Sequence, residues 1–182
     1  VLKEFKKISP LKLLMDKINF IGLKSSTIIA TTNKKSDLKI INFCKMNNIK
    51  YFIGSNDNVL RRYYEYSKKF KIKNIIRLTA DCPFLDISLL KRMISIYKKN
   101  KYDYLSNAYP LPCTFPDGSD IEIFSFNTLE ESHLNARLPS EKEHVTNYIY
   151  GKEHNNIKRI DLKNDLSKYR YTIDNINDFK VF

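Results

Sequence analysis

Three short, unbroken apolar runs constrain this fold more than any other feature. TIIATT (27–32), IKYFIG (49–54) and NIIRLTA (74–80) are rich in β-branched and aromatic residues, and each leads into a stretch with helical spacing. A strand that is apolar on both faces has to be covered on both faces. Strands that alternate with helices pair in parallel, because the helix carries the chain back across the sheet. The expected class is therefore α/β, a three-layer, mostly parallel sheet with helices on both sides.

The helical segments carry their own start and stop signals. Ser9-Pro10 opens the first: Ser caps it, Pro fits the first turn, Leu11, Leu14, Met15 and Ile18 share one face, and Gly22 ends it. Ser36 opens a second, carrying Leu38, Ile41 and Cys44. A third runs from about Asp57 to Phe70 with Leu60, Tyr63, Tyr64 and Ser67 on helical spacing, and a fourth follows Asp86. After Tyr102 the pattern changes. YDYLSNA and DIEIF flank the loop LPCTFPDGS, and IKRIDL and RYTID read as late short strands, so the C-terminal part is expected to be mixed. No repeat or low-complexity linker interrupts the 182 residues, which predicts one domain.

The formal net charge of +12 invites a nucleic-acid reading. Its lysines, however, are scattered in pairs such as Lys6-Lys7, Lys34-Lys35, Lys68-Lys69 and Lys98-Lys99 rather than gathered on one element, so no nucleic-acid partner is expected. Cys44, Cys82 and Cys113 are odd in number and far apart, which argues against a disulfide framework or a zinc site and for a reducing cytoplasm. His133 and His154 have no metal-ligand spacing and read as surface or helix-face residues. No apolar run reaches the length of a membrane-spanning helix, so no membrane partner is expected.

Within RLTADCPFLD (77–86), Asp81 follows the end of an apolar strand, at the carboxyl edge of the sheet. Ligands bind at that edge in open α/β folds. Asp174 stands at the end of RYTID in the same way. Either acid alone could be a helix N-cap. Together they suit Mg²⁺, which takes one or two protein carboxylates and completes its shell with phosphate oxygens and water. Four stretches are expected to converge there: ATTN, GSNDNVLRR, TADCP and the PDGSDIEIF loop.

These stretches carry a resemblance. RLTADCPFLD is similar to the R-x-T-x-D-C-P-x-x-D segment of cytidylyltransferase-like proteins of the spore-coat polysaccharide biosynthesis protein F type, relatives of the acylneuraminate and deoxy-octulosonate cytidylyltransferases. GSNDNVLRRYY resembles their G-S-x-D-x-V-L-x-R segment, FPDGSDIEIFSF their P-D-G-x-D-x-E-x-F-S segment, EHVTNYI their E-H-V-T segment, and YRYTIDNINDF their closing W-T-V-D-x-x-x-D-F. The resemblance spans essentially the whole chain, in register.

It implies a Rossmann-like nucleotide-diphospho-sugar transferase fold. It also implies an enzyme that joins CTP to a sugar or sugar acid for surface polysaccharide synthesis, with release of pyrophosphate. Asp81 and Asp174 would be the catalytic pair and hold Mg²⁺. Asn33, Ser55, Asp57, Arg62, Thr79 and Ala80 would contact the nucleotide. Asp117, Gly118, Asp120 and Glu122 would border the acceptor, with Glu143 and His144 as further substrate contacts. A homodimer is compatible with this reading. The alternatives are a glycosyltransferase using an activated nucleotide sugar, and a non-catalytic module of a sugar-pathway protein.

Ala80 stands where relatives often carry glycine, and Tyr171 where they carry tryptophan. The family's basic, glycine-containing triphosphate loop would precede Val1-Leu2, and the chain opens at VLKEF and closes at DFKVF. The resemblance therefore implies a polypeptide cut at both ends that binds CTP poorly by itself.

Overall fold

A computed structural model describes residues 1–4, 8–152 and 156–181; of residues 176, 180 and 181 it describes the backbone. His154 lies outside the described residues. In chain order the elements are α1 (Pro10–Phe20), β1 (Ile28–Thr31), α2 (Leu38–Met46), β2 (Lys50–Ile53), α3 (Val59–Lys69), β3 (Asn74–Arg77) and α4 (Ile87–Lys99). They continue with β4 (Tyr104–Ser106), β5 (Glu122–Ser125), α5 (Phe126–Asn135), α6 (Pro139–His144), α7 (Asn147–Gly151), β6 (Ile157–Arg159) and α8 (Ile176–Val181). The order is α/β, as the alternation predicts.

The chain divides into two compact units, each drawn from segments distant in sequence. Val1–Leu23, Ile76–Ile123 and Asn156–Phe182 form the first, and Lys24–Ile75 and Phe124–Asn155 the second. Strands β3 and β5 each begin in one unit and end in the other.

In the first unit, Ser9 caps α1 by accepting the amide of Lys12 at 3.2 Å, and α1 buries Leu11, Leu14, Met15 and Ile18. Asp86 caps α4 by accepting the amides of Ser88 (2.8 Å) and Leu89 (3.0 Å), and α4 buries Leu89, Leu90, Met93 and Tyr97. Strands β4 and β6 pair in parallel with Tyr104 opposite Ile157, within a sheet ordered β3-β5-β4-β6. Tyr104, Leu105, Ile121 and Ile123 are almost completely buried there. Each such side chain contributes roughly 1.5–3 kcal/mol by leaving water, and this rigid core supports the loops at the sheet edge.

In the second unit, β1 and β2 pair in parallel, from Ile28 opposite Lys50 to Thr31 opposite Ile53, with α2 as the crossover. A 3₁₀ turn at Lys35–Asp37 precedes α2, so its start lies slightly beyond the Ser36 that the sequence favours. Asn58 caps α3 by accepting the amide of Arg61 at 2.7 Å. Helix α3 packs on α5 and α6. Tyr64 stacks against Phe126 and His133, with ring centroids 6.0 and 4.0 Å apart, so His133 is indeed a helix-face residue.

RYTID is not a regular strand. A single parallel bridge joins Arg170 to Asp117, and Tyr169 and Tyr171 stay exposed. A turn offers one pairing position where a neighbouring strand would offer several. NIIRLTA likewise pairs only as far as Arg77, and its last three residues form the loop that leads to Asp81.

Candidate functional site

In the first unit the site is built around the strap Tyr169–Asp174. On one side it holds the turn at Asp117: the Asp117 amide donates to the Tyr169 carbonyl (3.1 Å) and the Tyr171 amide to the Asp117 carbonyl (2.6 Å). Two residues on, the Ile173 amide donates to the Asp81 carbonyl at 2.8 Å. The backbones at Asp81 and Asp174 are thereby drawn side by side, although they are far apart in sequence.

Asp81 caps no helix, since that task belongs to Asp86. Its loop is fixed from within. The Cys82 amide donates to the Thr79 carbonyl (3.2 Å), the Thr79 hydroxyl to the Cys82 sulfur (3.0 Å), and the Cys82 thiol to Asp81 Oδ1 (3.7 Å). Burial, reinforced by the Asp81 charge, pushes the Cys82 thiol far up, which leaves it protonated and unsuited to nucleophilic work. Lys17 donates to the Leu85 carbonyl at 3.0 Å and ties α1 to the same loop. Phe84 meets Tyr171 edge-on, ring centroids 6.3 Å apart.

Asp174 is not a cap either. Its amide and that of Asn175 donate to Asp178 Oδ2 (3.0 and 3.1 Å), while its own carboxylate is bonded to Arg170 Nη2. Arg170 also reaches Asp178 through Nη1 (2.5 Å) and Asp117 through Nε (3.2 Å), so one guanidinium serves three carboxylates. Arg170 and Asp178 were not singled out from the sequence. Their signal is their place inside the YRYTIDNINDF segment.

Gly118 sits at φ +96°, and a Cβ there would lie 2.5 Å from the Thr172 amide nitrogen, so only glycine lets the turn dock against the strap. Asp120 lies just beyond. Burial first, then the charges of Asp117 and Glu122, push its carboxyl up to about 6, against the opposing pull of Arg77. Glu122 does not border the site. Its side chain is 1% exposed, ion-paired with Arg77 and accepting the Tyr104 hydroxyl at 2.6 Å, so it is a core residue. A buried carboxylate needs such partners, and the strand supplies them inward.

In the second unit, Asn33, Ser55, Asp57 and Arg62 gather at the carboxyl ends of β1 and β2. The Gly54 amide donates to the Thr31 carbonyl at 3.1 Å, closing this edge. Arg62 donates to the Ser55 carbonyl at 2.6 Å and passes over Gly54, where an added Cβ would lie 2.8 Å from Arg62 Cγ. Arg62 Nε is buried without a hydrogen-bond partner, and burial pulls the guanidinium below its ordinary pKa. Lys34 approaches Asp57 at 3.5 Å. The Thr32 hydroxyl donates to Asp37 (2.6 Å) and holds that carboxyl below its usual range. Glu143 and His144 lie exposed at the end of α6. Next to them Val145 adopts φ +64°, a strained turn for a β-branched residue, with the Thr146 amide 2.6 Å from the His144 carbonyl.

Among the described residues no three His, Cys, Asp or Glu are placed to hold a metal by protein ligands alone. Asp81 and Asp174 adjoin through their backbones, and the Asp174 carboxylate is engaged by Arg170.

The family model for cytidylyltransferases matches residues 1–177. An uncharacterized protein of Methanocaldococcus jannaschii is 33% identical over 179 residues, 94% of this chain and 70% of that protein. The spore coat polysaccharide biosynthesis protein SpsF of Bacillus subtilis is 31% identical over 165 residues, 86% of this chain and 65% of its own length. Among solved structures, a cytidylyltransferase from Leptospira borgpetersenii is 32% identical and superposes with a TM-score of 0.90, over 97% of this chain and 74% of that one. A CMP:2-keto-3-deoxy-manno-octonic acid synthetase complexed with CTP shares the fold, with a TM-score of 0.68 at 11% identity over 99% of this chain and 88% of the other. Sequence motifs, architecture and relatives agree: the chain belongs to the cytidylyltransferase family.

Proposed function

We propose that the protein is a CTP-using nucleotidyltransferase that activates a sugar or sugar acid for surface polysaccharide synthesis. An acceptor hydroxyl attacks the α-phosphorus of CTP, the bond to the β-phosphate oxygen breaks, and pyrophosphate leaves while the hydroxyl proton passes to solvent or a nearby base. Such a reaction depends on positioning and on charge compensation rather than on covalent chemistry by the protein.

The observation that supports this reading is the Ile173–Asp81 hydrogen bond, which sets the backbones at Asp81 and Asp174 side by side near the docked Asp117 turn. Asp81 and Asp174 would hold Mg²⁺, which when bound offsets the charge of the phosphates. Thr79 and Ala80 stand in the same loop as Asp81 and are assigned to the nucleotide. Asp117, Gly118 and Asp120 are assigned to the acceptor side. In the second unit, Ser55 and Arg62 are assigned to nucleotide contacts, Arg62 with a buried N–H still to be satisfied.

The test, made on the intact protein, is pyrophosphate release from CTP with Mg²⁺ and a panel of sugars and sugar acids, comparing wild type with Asp81→Asn. Turnover that Asp81→Asn reduces by at least about 100-fold supports the assignment. Release of a nucleoside diphosphate from nucleotide sugars, without use of CTP, would favour glycosyl transfer instead.

A further inference from the structure

Arg170 bonds to Asp174, one of the two acids assigned above to the metal, and it does so with only one of its nitrogens. Nη1 is engaged by Asp178 and Nε by Asp117. The guanidinium can therefore yield Asp174 and still be held on two sides. A lysine has no such geometry, because its ammonium is a single point charge and not a planar fork with donors on three separate nitrogens.

We propose that Arg170 is a positioning residue that makes divalent-cation binding depend on the nucleotide. Its positive charge offsets part of the negative field of Asp117, Asp174 and Asp178, so a bare cation is attracted weakly. Phosphate oxygens arriving with the nucleotide supply the missing negative charge, and the cation then settles. Asp117 belongs to the turn assigned to the acceptor, so the same guanidinium fixes that turn relative to Asp174. The inference rests on the assignment of Asp81 and Asp174 to the metal. A purely structural role would be the ordinary expectation for half-exposed ion pairs, which contribute little one by one. The two roles differ in sign: loss of a structural tie weakens cation binding, whereas loss of an offsetting charge tightens it.

The experiment titrates the intact protein with Mn²⁺, following unbound Mn²⁺ by its electron paramagnetic resonance, without and with CTP. In Arg170→Gln, Mn²⁺ alone is expected to bind about 3–10-fold more tightly, with a smaller enhancement by CTP. In Arg170→Lys, which keeps the charge and offers a second variant if the glutamine protein folds poorly, Mn²⁺ alone is expected to stay within about 2-fold of wild type. Unchanged or weaker Mn²⁺ binding in Arg170→Gln, or tightening in Arg170→Lys, overturns the proposal. Asp81→Asn separates the two levels. If it leaves Mn²⁺ binding with CTP intact, the metal assignment itself falls and takes this inference with it. If it abolishes that binding while Arg170→Gln fails to tighten Mn²⁺ alone, only the role of Arg170 is refuted.

Discussion

The amide of Ile173 donates to the carbonyl of Asp81 across 2.8 Å. Replacing Ile173 with proline removes that donor, whereas alanine keeps it. Ile173→Pro is expected to lower stability by about 1–3 kcal/mol and to raise the Mg²⁺ concentration needed for half-maximal CTP turnover at least 10-fold. Ile173→Ala is expected to leave the Mg²⁺ requirement within about 2-fold. Equal Mg²⁺ curves for proline and wild type would count against the strap as the organiser of the site.

Gly118 offers a sharper structural check. A methyl group there meets the Thr172 nitrogen at 2.5 Å and the Tyr171 carbonyl carbon at 2.7 Å, both backbone atoms, at a φ of +96°. Neither strain nor clash can be relieved by a side-chain rotation. Urea unfolding of Gly118→Ala is expected to show a loss of about 2–4 kcal/mol.

Asp120 makes the stability of the protein depend on pH. Its carboxyl is pushed up to about 6, so the folded state binds the proton more tightly than the unfolded chain does. The stability it contributes is full below the unfolded value of about 3.9 and is lost as pH rises through about 6. Asp120→Asn removes this dependence. The variant is expected to gain on the order of 2 kcal/mol relative to wild type between pH 4.5 and pH 7.5, measured by denaturant unfolding at both. An identical pH slope in the two proteins would contradict the assignment.

Glu122 and Arg77 form a largely buried pair, with side-chain exposures of 1% and 14%. Removing only one partner takes away the ion pair of a largely buried charge, so Glu122→Ala is expected to cost about 3–5 kcal/mol. The double change to apolar residues of similar volume, Glu122→Leu with Arg77→Met, is expected to recover most of that loss. Thermal melts of the three proteins decide it.

At Gly54 the neighbour is a side chain rather than backbone, which changes the outcome. Gly54→Ala forces Arg62 Cγ away from 2.8 Å, a shift a flexible side chain can make. Stability is expected to change by less than about 1.5 kcal/mol. The KM for CTP is expected to rise several-fold as Arg62 leaves the Ser55 carbonyl. An unchanged KM would remove Arg62 from the nucleotide contacts.

Much of this organisation is written in local sequence signals. Ser9-Pro10 and Asp86 sit where helices begin, and the apolar runs at Ile28–Thr31, Lys50–Ile53 and Asn74–Arg77 are strands, because caps and continuous β-branched runs act over a few residues. Other features depend on contacts at long range. RYTID has the composition of a strand, yet its partner is a turn, so pairing stops at Arg170. DIEIF alternates as though Glu122 faced water, but this strand is covered on both sides and Arg77 draws the acid inward. The two units left no trace in composition because the chain passes between them, in part, along strands β3 and β5 rather than through polar linkers. The strain at Val145 is invisible in a sequence that carries no glycine there.

The edge contact between Phe84 and Tyr171 has a practical use. The chain contains no tryptophan, and Tyr171 is 46% exposed on the strap that carries Asp174. Tyr171→Trp would therefore install a lone indole fluorophore beside the proposed metal pair. Its emission would sense changes in polarity at the strap directly. Nucleotide and cation occupancy could then be followed in real time, without turnover and before the acceptor has been identified.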